Sequence, residues 1–182
     1  MNARESSRAP GPSPPSVTTP SIPGRSTRPI RPEDREPLVQ LISRDGLFTA
    51  DEIAVALELI EGALAARDGA AGDYHALVAE LDGVVRGYVC YGPTPMTEGT
   101  WDLYWIVSAP EDRGTGVGRQ LVAAMEAELR ARGARRVRVE TSSTELYGAA
   151  QRFYLRIGYP EIARIPDFYR PGDDLIILFR AL

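Results

Sequence analysis

The feature that most constrains this chain is a cluster of glycines between two segments of different hydrophobic period. Leu103 to Val107 is an apolar run rich in aromatic and β-branched residues, which predicts a buried strand. Pro110-Glu111-Asp112-Arg113-Gly114-Thr115-Gly116-Val117-Gly118-Arg119-Gln120-Leu121 follows. From its second half Val117, Leu121, Val122, Met125 and Leu129 fall on one helical stripe. The glycines therefore occupy a strand-to-helix turn. The first N–H groups of a helix have no internal partner, and the helix dipole adds partial positive charge there. Glycine removes the Cβ that would keep a ligand away from that backbone. The result is an anion site of a size for phosphate or pyrophosphate.

Two phosphate-binding patterns fit this turn incompletely. A P-loop closes on Lys-Ser/Thr, whereas Gly118 is followed by Arg119-Gln120 and every basic residue of the chain is arginine. A dinucleotide-binding fingerprint needs G-x-G-x-x-G directly after its strand. Gly114 and Gly116 match its start, but Arg119 stands at its end and Ser108 to Arg113 intervene. Glu140, at the end of the next strand, would suit a ribose contact, so this reading stays open.

Composition narrows the class. A chain of 182 residues with 43% hydrophobic content predicts one globular domain. A net charge of −4 argues against general nucleic-acid binding. One cysteine and one histidine make an internal disulfide or a structural zinc site implausible, and no metal is expected. No apolar run reaches spanning length and no signal-peptide core is present, so no membrane partner and a cytoplasmic location are expected. Residues 1–26 are rich in Pro, Ser, Thr and Gly and are expected to form a disordered tail, with the folded domain over 27–182.

Along the domain, Thr27 to Arg31 reads as an edge strand and Glu33 to Ser43 as a short helix. Thr49-x-x-Glu52 is a capping box that opens a helix to Arg67. Tyr74 to Glu80 and Val84 to Tyr91 are strands joined at Asp82-Gly83, a hairpin signal. In Trp101 to Ser108, strict alternation puts Asp102, Tyr104, Ile106 and Ser108 on one face. Arg135 to Thr141 is the next strand. Ser142-x-x-Glu145 reads as a second capping box for a helix ending at Ile157. Tyr159 to Ile165 and Leu175 to Arg180 are closing strands, with 166–174 as their connector. The order β-α-α-β-β-β-α-β-α-β-β predicts an α+β fold. His75 and Cys90 have catalytic readings, as base and as acyl-accepting nucleophile. For His75 near a strand start a surface or half-buried residue is the commoner reading, and the flanks Val89 and Tyr91 favour a core thiol at Cys90.

Arg113-Gly114-Thr115-Gly116-Val117-Gly118, with Pro110 upstream, resembles the R/Q-x-x-G-x-G/A signature of the GNAT superfamily of N-acetyltransferases. Ala150-Gln151-Arg152-Phe153-Tyr154-Leu155-Arg156-Ile157-Gly158-Tyr159 resembles a second motif of that family, A-x-x-F-Y-x-x-x-G-F/Y. The resemblance covers about Thr27 to Leu182. It implies a GNAT-like fold: a mixed, mostly antiparallel sheet of about seven strands flanked by about four helices. It also implies acetyl-CoA as donor, with strands four and five splayed around the pantetheine arm. By position, the backbone of Ile106, Val107 and Ser108 would pair with that arm. Backbone from Arg113 through Gly114, Thr115, Gly116, Val117 and Gly118 to Arg119 would hold the pyrophosphate. The family often carries Asn where this chain has Tyr147, with Ser143 or Thr144 as possible substitutes.

The implied activity moves an acetyl group from acetyl-CoA to a primary amine by direct attack through a tetrahedral intermediate. Tyr154 matches a tyrosine that many members place near the CoA sulfur, where a protonated phenol can donate to the departing thiolate. Asp102 and Glu140 are the candidate bases, with ordered water as the alternative. Trp101, Tyr104, Phe168 and Tyr169 suggest a partly aromatic acceptor pocket; the resemblance implies that the first helical pair flanks its entrance, where Phe48 and Leu47 would either line it or simply pack on the sheet. The expected acceptor is a small amine, an amino-acid-like molecule, a protein N-terminus or a lysine, and a monomer or homodimer is expected. An acyl-CoA-binding sensor without turnover and a Rossmann-type dinucleotide-binding module are the alternatives.

Overall fold

The computed structural model describes residues 24–46, 48–67 and 73–182. The expected tail and Leu47 lie outside the described residues, apart from the end of the tail. The elements run β1 (Arg25–Pro29), α1 (Arg35–Asp45), α2 (Ala50–Arg67), β2 (His75–Leu81), β3 (Val84–Pro93), β4 (Thr100–Ser108), α3 (Val117–Ala131), β5 (Arg136–Ser142), α4 (Gly148–Arg156), β6 (Glu161–Arg170) and β7 (Asp173–Ala181). They form a 7-stranded sheet in the order β1-β2-β3-β4-β5-β7-β6, parallel only where β4 meets β5. This is the expected α+β order. Among the described residues no helix is long and apolar enough to cross a membrane.

The sheet separates two cores. On one face Val117, Leu121, Val122, Met125 and Leu129 of α3 pack with Leu77, Val89, Leu103 and Val139, and α4 adds Tyr154. This is the stripe the helical period marks out. On the other face Leu38 and Ile42 of α1 and Ala56 and Ile60 of α2 cover Val78, Tyr88, Cys90 and Val107. Local signals set several boundaries. Asp82 and Gly83 both have positive φ, 49° and 79°, as a two-residue turn matched to strand twist requires. The Thr49–Glu52 box forms: the Glu52 carboxylate accepts from the Thr49 backbone N–H at 2.8 Å, and the Glu52 N–H donates to Thr49 Oγ1 at 3.3 Å.

Four expectations require correction. The first strand begins at Arg25, inside the segment assigned to the tail, because its backbone pairs with Leu81 of β2. Ser142 does not cap a helix: its hydroxyl donates to Asp173 Oδ1 at 2.5 Å, and Glu145–Tyr147 form a 3-10 turn before α4. Most of 166–174 is strand rather than connector. Pro166 is tolerated because β6 is the sheet edge, and Pro171-Gly172 alone closes the hairpin between Arg170 and Asp173. The alternation in β4 fails at a bulge. Cys90 pairs with Trp105 but Tyr91 with Leu103, so Tyr104 is the extra residue. Beyond it the faces invert: Leu103 and Ile106 join the α3 core, whereas Tyr104, Trp105 and Val107 join the α1–α2 core.

Candidate active site

The site begins where the sheet opens. Parallel pairing of β4 with β5 runs from Thr100↔Arg136 to Leu103↔Val139 and stops. β4 continues to Ser108 paired only with β3, and β5 to Ser142 paired only with β7. The edge of β4 from Tyr104 to Ser108, including Ile106, Val107 and Ser108, therefore faces a widening cleft without a strand partner. The bulge at Tyr104 sits at the apex of this cleft and turns β4 away from β5. Backbone groups on an open edge are available to an extended amide-bearing ligand.

At the far end of β4 the chain enters the glycine turn. A 3-10 turn over Pro110–Asp112 precedes Arg113, and Gly114 and Gly116 take φ of 79° and 96°. These angles need glycine. Thr115 N–H donates to the Asp112 carbonyl at 3.1 Å, and the first helical bond is Gln120 N–H to the Gly116 carbonyl at 3.0 Å. Among the described residues the N–H groups of Gly114, Gly116, Val117, Gly118 and Arg119 have no hydrogen-bond partner. Clustered, unpartnered amides at the N-terminus of α3 form a nest for an oxyanion. Arg113, Gly114 and Thr115 are exposed and Gly116, Gly118 and Arg119 partly so, while Val117 anchors the turn in the core.

Tyr154 lies in α4 at 4% exposure, against the rings of Phe153 and Tyr159 at 5.2 and 5.9 Å. It packs deeper than the Ala150, Phe153 and Ile157 stripe expected to face inward. Burial pushes its phenol pKa well above the ordinary tyrosine value. Among the described residues its hydroxyl has no hydrogen-bond partner, yet it is not among the fully sealed unpartnered atoms, which are Arg25 Nε and the Tyr88 hydroxyl. Tyr159 contrasts with it: that hydroxyl donates to the buried Glu126 carboxylate at 2.9 Å. The Phe153 ring closes on the start of α3, where a Cβ on Gly118 would lie 3.2 Å from it. The second sequence motif is thus packed directly on the first.

The candidate bases lie on either side of the apex. Asp102, in the paired foot of β4, is 7% exposed. It accepts from Arg138 Nε at 2.6 Å and Thr94 Oγ1 at 2.8 Å. Glu140, one residue past the last β4–β5 pair, is exposed, with Arg138 3.2 Å away on one oxygen. Tyr104 stands on the same face with its ring 5.6 Å from that of Tyr74. Burial and the neighbouring Asp102 charge push its pKa up to about 12.

The aromatic set does not assemble as one pocket. Trp101 packs on the α3 face with His75, Tyr91 and the Arg132 guanidinium. Phe168 and Tyr169 are exposed at 54% and 50% on β6, and Tyr169 lies within electrostatic reach of Glu140, Asp173 and Glu52. Phe48 meets Trp105 edge to face at 5.0 Å, so the bulge brings Trp105, not Trp101, to the α1–α2 side. Cys90 is buried and its thiol is pushed up to about 12, which suits a core residue. Burial and the Arg132 charge lower the His75 pKa at the foot of the sheet.

One contact was beyond sequence reasoning. The Tyr147 hydroxyl donates to Glu52 Oε1 at 2.7 Å, tying the segment after β5 to the N-terminus of α2. Burial alone would raise the Glu52 pKa, but the bonds from Thr49 and Tyr147 outweigh it and hold the carboxyl below its ordinary value. The capping box was visible at Thr49 and Glu52; no local signal points across the intervening chain to Tyr147. Ser143, one proposed substitute for the family Asn, is bound to Asp174, its hydroxyl accepting that N–H at 2.8 Å. Thr144, the other, shares a 2.9 Å contact with Ser142. Among the described residues no group of His, Cys, Asp and Glu side chains could hold a metal.

Comparison with known proteins points the same way. A Desulfovibrio desulfuricans protein assigned to the GNAT acetyltransferases has a crystal structure that matches at a TM-score of 0.81 and 40% identity, covering 86% of this chain and 98% of that one. An aminoglycoside 6′-N-acetyltransferase solved with coenzyme A shares the fold at a TM-score of 0.68 and 16% identity, over 86% of this chain and 96% of that one. An uncharacterised N-acetyltransferase of Methanocaldococcus jannaschii is 29% identical over 104 residues, 57% of this chain and 64% of that protein. The amino-acid acetyltransferase of Ralstonia nicotianae is 38% identical over 68 residues, 37% of this chain and 15% of that protein. The matched stretch thus spans less than two thirds of the length of either curated relative. The model of the Acetyltransferase (GNAT) family matches residues 41–159, which is more than half of the chain and contains both motifs; this chain belongs to the GNAT family of acetyltransferases.

Proposed function

We propose that this chain is a catalytic N-acetyltransferase that takes its acetyl group from acetyl-CoA and delivers it to a cationic primary amine. The observation that carries this reading is the continuity of the unpartnered β4 edge with the unpartnered amides of the glycine turn. An extended amide chain ending in a pyrophosphate matches both in order. Two structures that share this fold hold coenzyme A or acetyl-CoA, which supports the same donor here.

Bound acetyl-CoA supplies an activated thioester carbonyl. The residues of this chain do the rest. The unpartnered N–H groups of Gly114, Gly116, Val117, Gly118 and Arg119 hold the pyrophosphate, with Arg113 at the lip of the turn. The open backbone of Ile106, Val107 and Ser108 pairs with the pantetheine amides. Edge groups at the Tyr104 bulge orient the carbonyl and donate to its oxygen. The Tyr154 phenol, kept protonated by burial, donates its proton to the departing sulfur. Glu140 removes the first proton from the acceptor ammonium, and the second, shed by the nitrogen as the tetrahedral intermediate collapses, replaces through solvent the one Tyr154 gives up. Asp102 is less suited to that step, because Arg138 and Thr94 each already occupy one oxygen of its carboxylate.

The α1–α2 side of the cleft supports a cationic acceptor. Glu52 and Asp173 lie within electrostatic reach of both Tyr147 and Tyr169, and Glu140 within reach of Tyr169. Carboxylates and phenol faces both favour an ammonium group. The test is incubation of the purified protein with acetyl-CoA and a panel of small polyamines, aminoglycosides, amino acids and short peptides, with release of free CoA thiol as readout. Turnover with cationic amines supports the reading. Tight CoA binding without turnover on any member would favour a sensor, and binding of NAD but not CoA would favour a dinucleotide module.

A further inference from the structure

We propose that Arg25, at the start of the edge strand, is a positioning residue for the pyrophosphate site, a role that rests on the cofactor reading above. Arg25 and Thr27 are two apart on β1 and so share one face, and that face meets the N-terminus of α3. Arg25 Nη1 donates to the Thr115 carbonyl and Nη2 to Thr115 Oγ1, both at 3.2 Å. Nη2 also lies 3.9 Å from Asp112 Oδ1. Two residues on, the Gln120 side-chain amide donates to Thr27 Oγ1 at 2.8 Å. β1 therefore grips the glycine turn at two points along its unpartnered amides: at Thr115, between Gly114 and Gly116, and at Gln120, just after Arg119.

The manner of burial indicates that this grip serves more than packing. The Arg25 side chain is only 7% exposed, and its Nε is sealed from solvent with no hydrogen-bond partner among the described residues. An orphaned donor on a buried guanidinium is costly and needs a compensating reason. Two reasons are present at this turn. Gly114 and Gly116 leave it with backbone freedom, so it needs an external brace to hold its N–H groups convergent. Asp112 would otherwise oppose an anion next to the nest. Arg25 and Arg86, the latter 2.5 Å from Asp112 Oδ2, neutralise it. Arg25 thus fixes the shape of the nest and its electrostatic sign without touching the ligand.

The test compares a ligand with a pyrophosphate and one without. CoA and pantetheine are titrated calorimetrically into the wild type, Arg25→Ala, Arg25→Lys and Thr115→Val, and each apo protein is melted. The Kd for CoA is expected to rise roughly ten-fold in Arg25→Ala. Arg25→Lys should recover only part of this, since an ammonium lacks the fork that spans the carbonyl and hydroxyl of Thr115. Thr115→Val, which removes one leg of the grip, should show a smaller loss. Pantetheine binding is expected to stay level throughout, which a general loss of structure would not allow. An Arg25→Ala protein that binds CoA as the wild type does overturns the proposal. Equal losses for CoA and pantetheine would also overturn it, by making Arg25 merely structural. If Arg25→Ala fails to fold, Arg25→Lys and Thr115→Val carry the same comparison. A wild type that does not bind CoA would instead defeat the cofactor reading itself.

Discussion

Replacing Tyr154 by Phe separates chemistry from stability, because the structure assigns the hydroxyl no intramolecular role. The ring contacts with Phe153 and Tyr159 are kept, and the hydroxyl has no hydrogen-bond partner among the described residues. No buried group is orphaned by its loss, so the apo protein should change in stability by less than about 0.5 kcal/mol. Tyr159→Phe is the internal control. It strips a donor from the buried Glu126 carboxylate and should cost about 1–3 kcal/mol, each kcal/mol lowering Tm by about 2–4 °C in a chain of this size. For catalysis the expectation is reversed. If Tyr154 protonates the departing thiolate, Tyr154→Phe should lower kcat roughly 10²–10⁴-fold, equivalent to about 2.7–5.5 kcal/mol of barrier. The KM for acetyl-CoA should move little. Burial raises the phenol pKa well above its ordinary 10.0, so Tyr154 stays protonated through the working range. It should contribute no alkaline limb to the kcat–pH profile below pH 10. The assay is thiol release on a turning-over amine, beside thermal melts of both variants. A Tyr154→Phe protein with near wild-type kcat would refute the acid role and leave protonation to water or the acceptor ammonium.

Gly116→Val places a β-branched residue at φ 96° and covers the neighbouring amides; CoA affinity measured by calorimetry should fall by a few kcal/mol, on the order of a lost charge-assisted bond plus backbone strain. Glu140→Gln should lower kcat about 10²-fold or more while sparing the KM for acetyl-CoA. Asp102→Asn should act chiefly on Tm through the Arg138 and Thr94 bonds, and the opposite pattern would exchange the two roles. Glu52 is held below its ordinary value of 4.5 when folded, so its bonds stabilise fully above that pH and are lost as pH falls through the lowered value. Glu52→Gln should therefore make Tm less sensitive to acidification below about pH 4.5, and an unchanged acid slope would contradict the Tyr147 and Thr49 bonds.

What the sequence determined by itself is what adjacent residues determine. The change of period from Leu103–Val107 to the Val117–Leu129 stripe set the strand, the turn and the helix. Gly114 and Gly116 announced left-handed backbone, and Asp82-Gly83 and Thr49-x-x-Glu52 each carried their turn or cap within a few residues. The element order and the two motifs were enough to point to the family. Only the tertiary structure decided where the sheet opens and what lines the opening. The bulge at Tyr104 depends on how β3 and β4 pair, so strict alternation along β4 could not foresee that Trp105 would reach the α1–α2 side. Ser142 carried a capping-box pattern, but its hydroxyl found Asp173 on a strand 31 positions away. The grip of Arg25 on Thr115 and the bond from Tyr147 to Glu52 join residues 90 and 95 positions apart. Such contacts exist because the sheet stacks distant segments side by side, and the energy that selects them comes from burial and charge pairing across strands, which no local pattern in a single chain encodes.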